Sequence, residues 1–189
     1  MCSFLGFRRF QRKSVCAANA CPACVLVWKV TSTLYTIHPI LAAPTCTEFS
    51  IAKGSKPRDF KNAITIVEAC LKIIWKCRIE RKLKFWALEN PVGFLRQFLG
   101  IPKYQFEHWQ FGNFEFIKRT DIWGYFKESR ITVKEKPAIV DSMYETRING
   151  RGMSRLSCPE EYKHLNLNKS AIRAITPSGF ANAFYNAHK

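Results

Sequence analysis

Between residues 37 and 89 the spacing of apolar positions changes twice. Ile37-His38-Pro39-Ile40-Leu41-Ala42-Ala43 is one continuous apolar run closed by Pro44, the pattern of a short buried strand. Beyond Ser55 the spacing lengthens. Phe60, Ile64, Val67, Leu71 and Ile74, joined by Ala63, Cys70 and Trp75, make a broad stripe, with Lys61, Asn62, Lys72 and Lys76 mostly on the other side. This predicts a helix capped by Ser55, with Pro57 in its first turn and Asp59 facing the helix dipole, ending near Arg78. After a basic loop over residues 78–82, Lys84-Phe85-Trp86-Ala87-Leu88-Glu89 reads as a second buried strand. Strand, helix and strand in this order form a right-handed βαβ unit. In such a unit Cys46 and the pair Glu89-Asn90 lie level at the carboxyl ends of neighbouring parallel strands, where α/β sheets place their ligands.

Downstream the pattern is weaker. Residues 94–99 fit one or two helical turns stopped by Gly100 and Pro102, and Ile122-Trp123-Gly124 fits a short strand. Residues 126–168 are polar and basic without clear period.

Composition narrows the classes. Hydrophobic residues make up 47% and aromatic residues 14%, which excludes a wholly disordered chain. Lys and Arg number 30 against 14 acids, a net charge of +16, which suits a polyanionic partner such as nucleic acid. The 8 cysteines include one Cys-x-x-Cys, Cys21 and Cys24, with no second pair and no histidine in ligand spacing beside it. The reading is a reduced, cytoplasmic protein with no structural metal. Residues 1–36 carry Arg8, Arg9, Arg12, Lys13 and Lys29 and no acid. Their small residues precede the apolar run Cys24-Val25-Leu26-Val27-Trp28, the wrong order for a signal peptide, and that run is too short to cross a bilayer. The expectation is a poorly ordered leader and no membrane partner.

Two motifs carry chemistry. Pro44-Thr45-Cys46-Thr47-Glu48-Phe49-Ser50 resembles the nucleophile loop of the DNA cytosine-5 methyltransferases, Pro-Cys-x-x-Phe-Ser, with Thr45 where a second proline is usual. Glu89-Asn90-Pro91-Val92-Gly93 is similar to that family's Glu-Asn-Val, in a proline variant like a phage-type or small bacterial branch. Phe111-Gly112 with Arg119 resembles the segment that holds a base-contacting arginine, and Arg173-Ala174-Ile175-Thr176-Pro177 the late Arg-x-Leu-Thr-Pro segment.

The resemblance implies an α/β fold, a Rossmann-like methyltransferase core with a largely parallel sheet, incomplete at its N-terminus. It divides the chain into the leader 1–36, a catalytic core 37–125, a basic variable region 126–169 that reads DNA, and a core segment 170–189. It implies S-adenosylmethionine as cofactor and DNA as partner. Cys46 would add to cytosine C6, Glu89 would bind the base's N3 and amino edge, and Arg119 would contact the base. Pro44, Ser50, Asn90, Pro91, Arg173 and Thr176 would line the substrate site.

The chain departs from the family in one respect. The glycine-rich turn that lets backbone approach the cofactor has no counterpart, since Gly6 is the single glycine before Gly54 and Glu48 is the first acid. No residue is therefore assigned to the cofactor. Two other classes compete: a basic nucleic-acid-binding remnant of such an enzyme, and a cysteine enzyme of pyrimidine nucleotides similar to thymidylate synthase. The latter's Pro-Cys-His is absent, because Thr47 follows Cys46.

Overall fold

The computed structural model describes residues 13–14, 24–27, 30–31, 36–112, 118–138, 158, 160–168, 171–172 and 174–189. They fall into two compact units, one within Arg9–Gln105 and Thr120–Phe126, the other within Phe106–Arg119 and Lys127–Lys189.

The first unit is a mixed α/β layer. Its strands are β1 (Lys13–Ser14), β2 (Cys24–Val27), β3 (Val30–Thr31), β4 (Thr36–Ala43) and β5 (Leu83–Pro91), and most of β7 (Arg119–Tyr125). They run in the order β1-β2-β4-β5-β7, with β3 also on β4. β4 and β5 are parallel, Leu41 facing Ala87 and Ala42 facing Leu88, and helix α1 (Phe60–Ile79) connects them. The expected strand-helix-strand unit is therefore present. The expected largely parallel sheet is not: β2 and β3 pair with β4 antiparallel, and β7 pairs with β5 antiparallel. A strand buried on both faces reads as the same apolar run whichever way its neighbours point, so direction was not visible in the pattern.

α1 starts later than its spacing suggested. Asp59, not Ser55, is the cap; its carboxylate accepts the Asn62 amide at 3.0 Å. Pro57 disfavours a helical Lys56, so the chain before it stays extended or turned. Ala63, Val67, Cys70 and Ile74 form the buried stripe, packed with Ile40, Ala42, Leu88 and Trp123 of the sheet. Trp75, counted in the stripe, is 59% exposed, because it lies one step round the helix from Ile74. Beyond β5, helix α2 (Arg96–Leu99) is a single turn, closed by Gly100 at φ 74° and by the Trp123 indole, which donates to the Gly100 carbonyl at 3.0 Å.

Strand β6 (Tyr104–Glu107) leads out of the first unit. The second unit is built on rings. Phe106 stacks on Phe180 at 4.1 Å, and Phe111 meets Phe180 edge-on at 5.2 Å. Phe180 and Phe184 come from helix α3 (Ser178–Ala187), Phe111 from a 3₁₀ turn over His108–Phe111. Tyr162, Ile172 and Ile175 make a smaller buried cluster. No described helix is long and apolar enough to cross a membrane.

Candidate active site

β4 ends at Ala43 and delivers the buried Pro44 and the half-buried Cys46 into a tight turn. The Cys46 carbonyl accepts the amides of Phe49 at 3.0 Å and Ser50 at 2.8 Å. Phe49 anchors this turn: it is fully buried, stacked on Phe60 at 6.0 Å and edge-on to Phe98 at 5.7 Å. The Ser50 hydroxyl accepts the Ala52 amide at 3.2 Å and caps a short 3₁₀ turn, Ile51–Lys53. It thus has a structural partner in the chain itself.

Arg58 holds the far side of the loop. Its guanidinium donates to the carbonyls of Glu48 at 2.5 Å, Ser50 at 3.0 Å and Gly54 at 3.0 Å, and lies 4.5 Å from the Phe94 ring centroid. The Glu48 carboxylate accepts from Lys53 and, at 2.7 Å, from the Asp59 amide. The Lys53 hydrogen bond first, and the Asp59 amide second, hold it below the usual carboxylate range. Three carbonyls and one carboxylate thus fix the chain just after Cys46.

The second motif is bound to the first through backbone. The Asn90 amide donates to the Pro44 carbonyl at 3.1 Å. Ser50 and Gly93 form an antiparallel bridge, and the Phe94 amide donates to the Phe49 carbonyl at 2.8 Å. Gly93 permits this approach, because a Cβ there would lie 2.2 Å from the Phe49 oxygen. Cys46 and Glu89 accordingly belong to segments locked to one another on both flanks. Glu89 does not end its strand as expected, since β5 continues through Pro91. It faces Ile122 of β7, while Asn90 faces Asp121 and Pro91 faces Thr120.

Alternation sorts these residues by face. Leu88 and Trp123 pack on the α1 core, so Asn90 and Asp121 share that side and Glu89, Thr120 and Ile122 the opposite one. Asp121 is fully buried and accepts from Arg96 twice, at 2.6 Å each, and from the Gln105 amide at 3.0 Å. Thr120 is also fully buried, and its hydroxyl has no hydrogen-bond partner.

Of the residues expected to act together, Pro44, Cys46, Ser50, Glu89, Asn90 and Pro91 fall in the first unit. Arg119, exposed at the start of β7, and the half-buried Thr176 belong to the second, and Arg173 lies outside the described residues. Arg58, Arg96 and Asp121 went unrecognised in the sequence. The one available signal was Asp121, an acid set directly before the apolar pair Ile122-Trp123.

Among the described residues no three His, Cys, Asp or Glu side chains group as metal ligands. Among the described residues none forms a glycine-rich turn fitting S-adenosylmethionine. β2 runs antiparallel to β4 with Cys24 opposite Ala43 and Val27 opposite Ile40, so β2 ends away from the carboxyl end of β4 that leads to Cys46. No glycine lies between Gly6 and Gly54 to form one. No protein-family model, curated protein or solved structure matches the chain.

Proposed function

We propose that this chain is a protein of the DNA (cytosine-5) methyltransferase type, with a Rossmann-like core that acts on a cytosine taken out of DNA. One observation carries the reading. The cysteine loop and the Glu-Asn-Pro-Val-Gly segment, the two motifs that resemble the family, are joined through the Asn90–Pro44 and Phe94–Phe49 hydrogen bonds and the Ser50–Gly93 bridge. A thiolate nucleophile and a carboxyl group held this way suit addition to an electron-poor pyrimidine.

In the proposed chemistry the Cys46 thiolate adds to C6 of the base, and the C5–C6 π pair moves onto C5. Glu89 hydrogen-bonds the N3 and amino edge, where the developing charge is shared. C5 then takes a proton from solvent. Loss of either C5 hydrogen to a base returns the electron pair and expels Cys46. The described residues do not fit the cofactor, so the chemistry derived for this chain ends at that reversible adduct. A base must leave the stack to reach Cys46, at a cost of a few kcal/mol offset by contacts in the pocket. The excess of Lys and Arg would hold phosphates and set position, not sequence. A free Cys46 thiol is best preserved in a reducing compartment such as the cytoplasm, which fits this reading.

The test needs no cofactor. DNA carrying cytosine deuterated at C5 should lose the label to water on incubation with the wild-type chain, measured by mass spectrometry. Cys46→Ser should leave the label in place, because an alcohol is a feeble nucleophile at neutral pH. Full retention with the wild type would overturn the proposal. The direction of β2 favours a second reading, a basic nucleic-acid-binding relative that keeps the base pocket without turnover. The same label-loss assay separates the two: loss of the C5 label supports the enzyme, and retained label alongside DNA binding supports the relative.

A further inference from the structure

We propose that the exposed C-terminal end of α1 docks on an anionic lipid surface, with Trp75 and Ile79 entering the headgroup layer and the surrounding Lys and Arg meeting its negative charge. The inference is independent of the base-binding reading above.

α1 buries one stripe, Ala63, Val67, Cys70 and Ile74, against the sheet. Trp75 and Ile79 stand off that stripe, one turn apart on the same outer row, and are 59% and 77% exposed. Single apolar side chains on a surface are ordinary, but a tryptophan adjoining an isoleucine points to a contact face. The helix itself does not need them there, since a lysine or glutamate has equal or better helix propensity.

The charge around the pair says what covers it. Between Glu68 and Lys84 six basic residues stand against two acids, and Lys76, Arg78 and Arg81 are exposed. The helix dipole accounts for cations in the last turn, but not for the one beyond it. Arg81 follows the cap residue Glu80 at φ 54°, a left-handed position where glycine is usual. An arginine there keeps a cation close to Ile79 in sequence despite backbone strain. Tryptophan and an aliphatic residue among Lys and Arg suit the interface of an anionic bilayer. The indole sits at headgroup level, the isoleucine reaches the acyl boundary and the cations meet the negative surface. Nucleic acid would satisfy the cations and the indole but offers the isoleucine little. The contact is peripheral and needs no spanning helix. It is also apart from the Cys46 loop: α1 starts beside that loop, where the Glu48 carboxylate accepts the Asp59 amide, and the pair lies roughly 20–30 Å further along it.

The experiment measures sedimentation with phosphatidylcholine vesicles and with vesicles containing about one quarter phosphatidylserine, alongside anisotropy with a single-stranded oligonucleotide. Thermal melting of each variant is recorded. The wild type should sediment with the anionic vesicles and not with the neutral ones. Trp75→Ser combined with Ile79→Ser should weaken vesicle binding about ten-fold or more and leave oligonucleotide binding unchanged. Arg81→Gly should weaken vesicle binding about five-fold, yet melt at or above the wild-type temperature, since glycine relieves the left-handed strain. Brominated acyl chains should quench wild-type tryptophan fluorescence, and Trp75→Phe should remove most of that quenching, a readout that does not depend on how well the serine variant folds. A wild type that ignores anionic vesicles would overturn the proposal. Unchanged vesicle binding by the serine variant would do so as well, by showing adsorption through net charge alone. If that variant lost oligonucleotide binding and kept vesicle binding, the patch would belong to nucleic acid instead.

Discussion

Gly93 has no side chain because the Phe49 carbonyl occupies the place of one, 2.2 Å from where a Cβ would sit. Gly93→Ala should therefore push the two motif segments apart. The expected cost is about 1–3 kcal/mol in chemical denaturation, as for other overpacked sites. On the proposed function, its effect on label loss from C5 should exceed its effect on DNA binding, which phosphate contacts would dominate. His108 makes a second residue-scale prediction. It is almost fully buried beside Phe106, and burial first, with Lys118 adding to it, holds its pKa well below the ordinary histidine range. The folded state therefore keeps it neutral, whereas the unfolded chain takes up a proton near pH 6.5. Unfolding then binds protons, and stability falls as the pH drops below about 6.5. Urea midpoints at pH 7.5 and 5.5 should differ less for His108→Phe than for wild type. His108 is a core ring, stacked on Phe106 at 5.9 Å.

The elements followed local periodicity where it was strong. α1 and the strands beside it were legible because their apolar positions repeat at helix or strand spacing over many residues. The exact start of α1 was not, since Ser55 and Asp59 are both good caps and tertiary hydrogen bonds around Arg58 decide between them. Strand direction and the clamp between α2 and β7 were illegible for a related reason. Arg96 and Asp121 are 25 positions apart, and no local pattern links them. That clamp is asymmetric. Asp121 is fully buried, whereas the Arg96 side chain is 40% exposed. Arg96→Ala strands a carboxylate in the interior beside the Gln105 amide and should cost about 3 kcal/mol. Asp121→Asn leaves an arginine that can turn to water and should cost about 1 kcal/mol. Equal losses in urea titration would contradict this account.

For the molecule as a whole, 30 basic residues against 14 acids make salt the first variable to test. If DNA is the partner, affinity should fall by orders of magnitude between ~50 and ~200 mM salt, as released counterions dictate. A flat response in a filter or anisotropy titration would mean that the charge serves another purpose. The α/β class and the pairing of the two motifs were visible in the order of segments, but the division into two units was not. The second unit joins Phe106 and Phe111 to Phe180 across a long interval whose intermediate residues carry little period. The lock between the motifs also has a consequence in time. Pro44 and Asn90 are 46 positions apart, so their contact waits for a long crossover to close, whereas α1 needs only its neighbours. In a refolding experiment the helical signal should rise before the Phe94 amide becomes protected from hydrogen exchange. In the native state that amide should open more readily than those of α1. The Cys46 loop would then be the last part of its unit to take shape and the first to lose it.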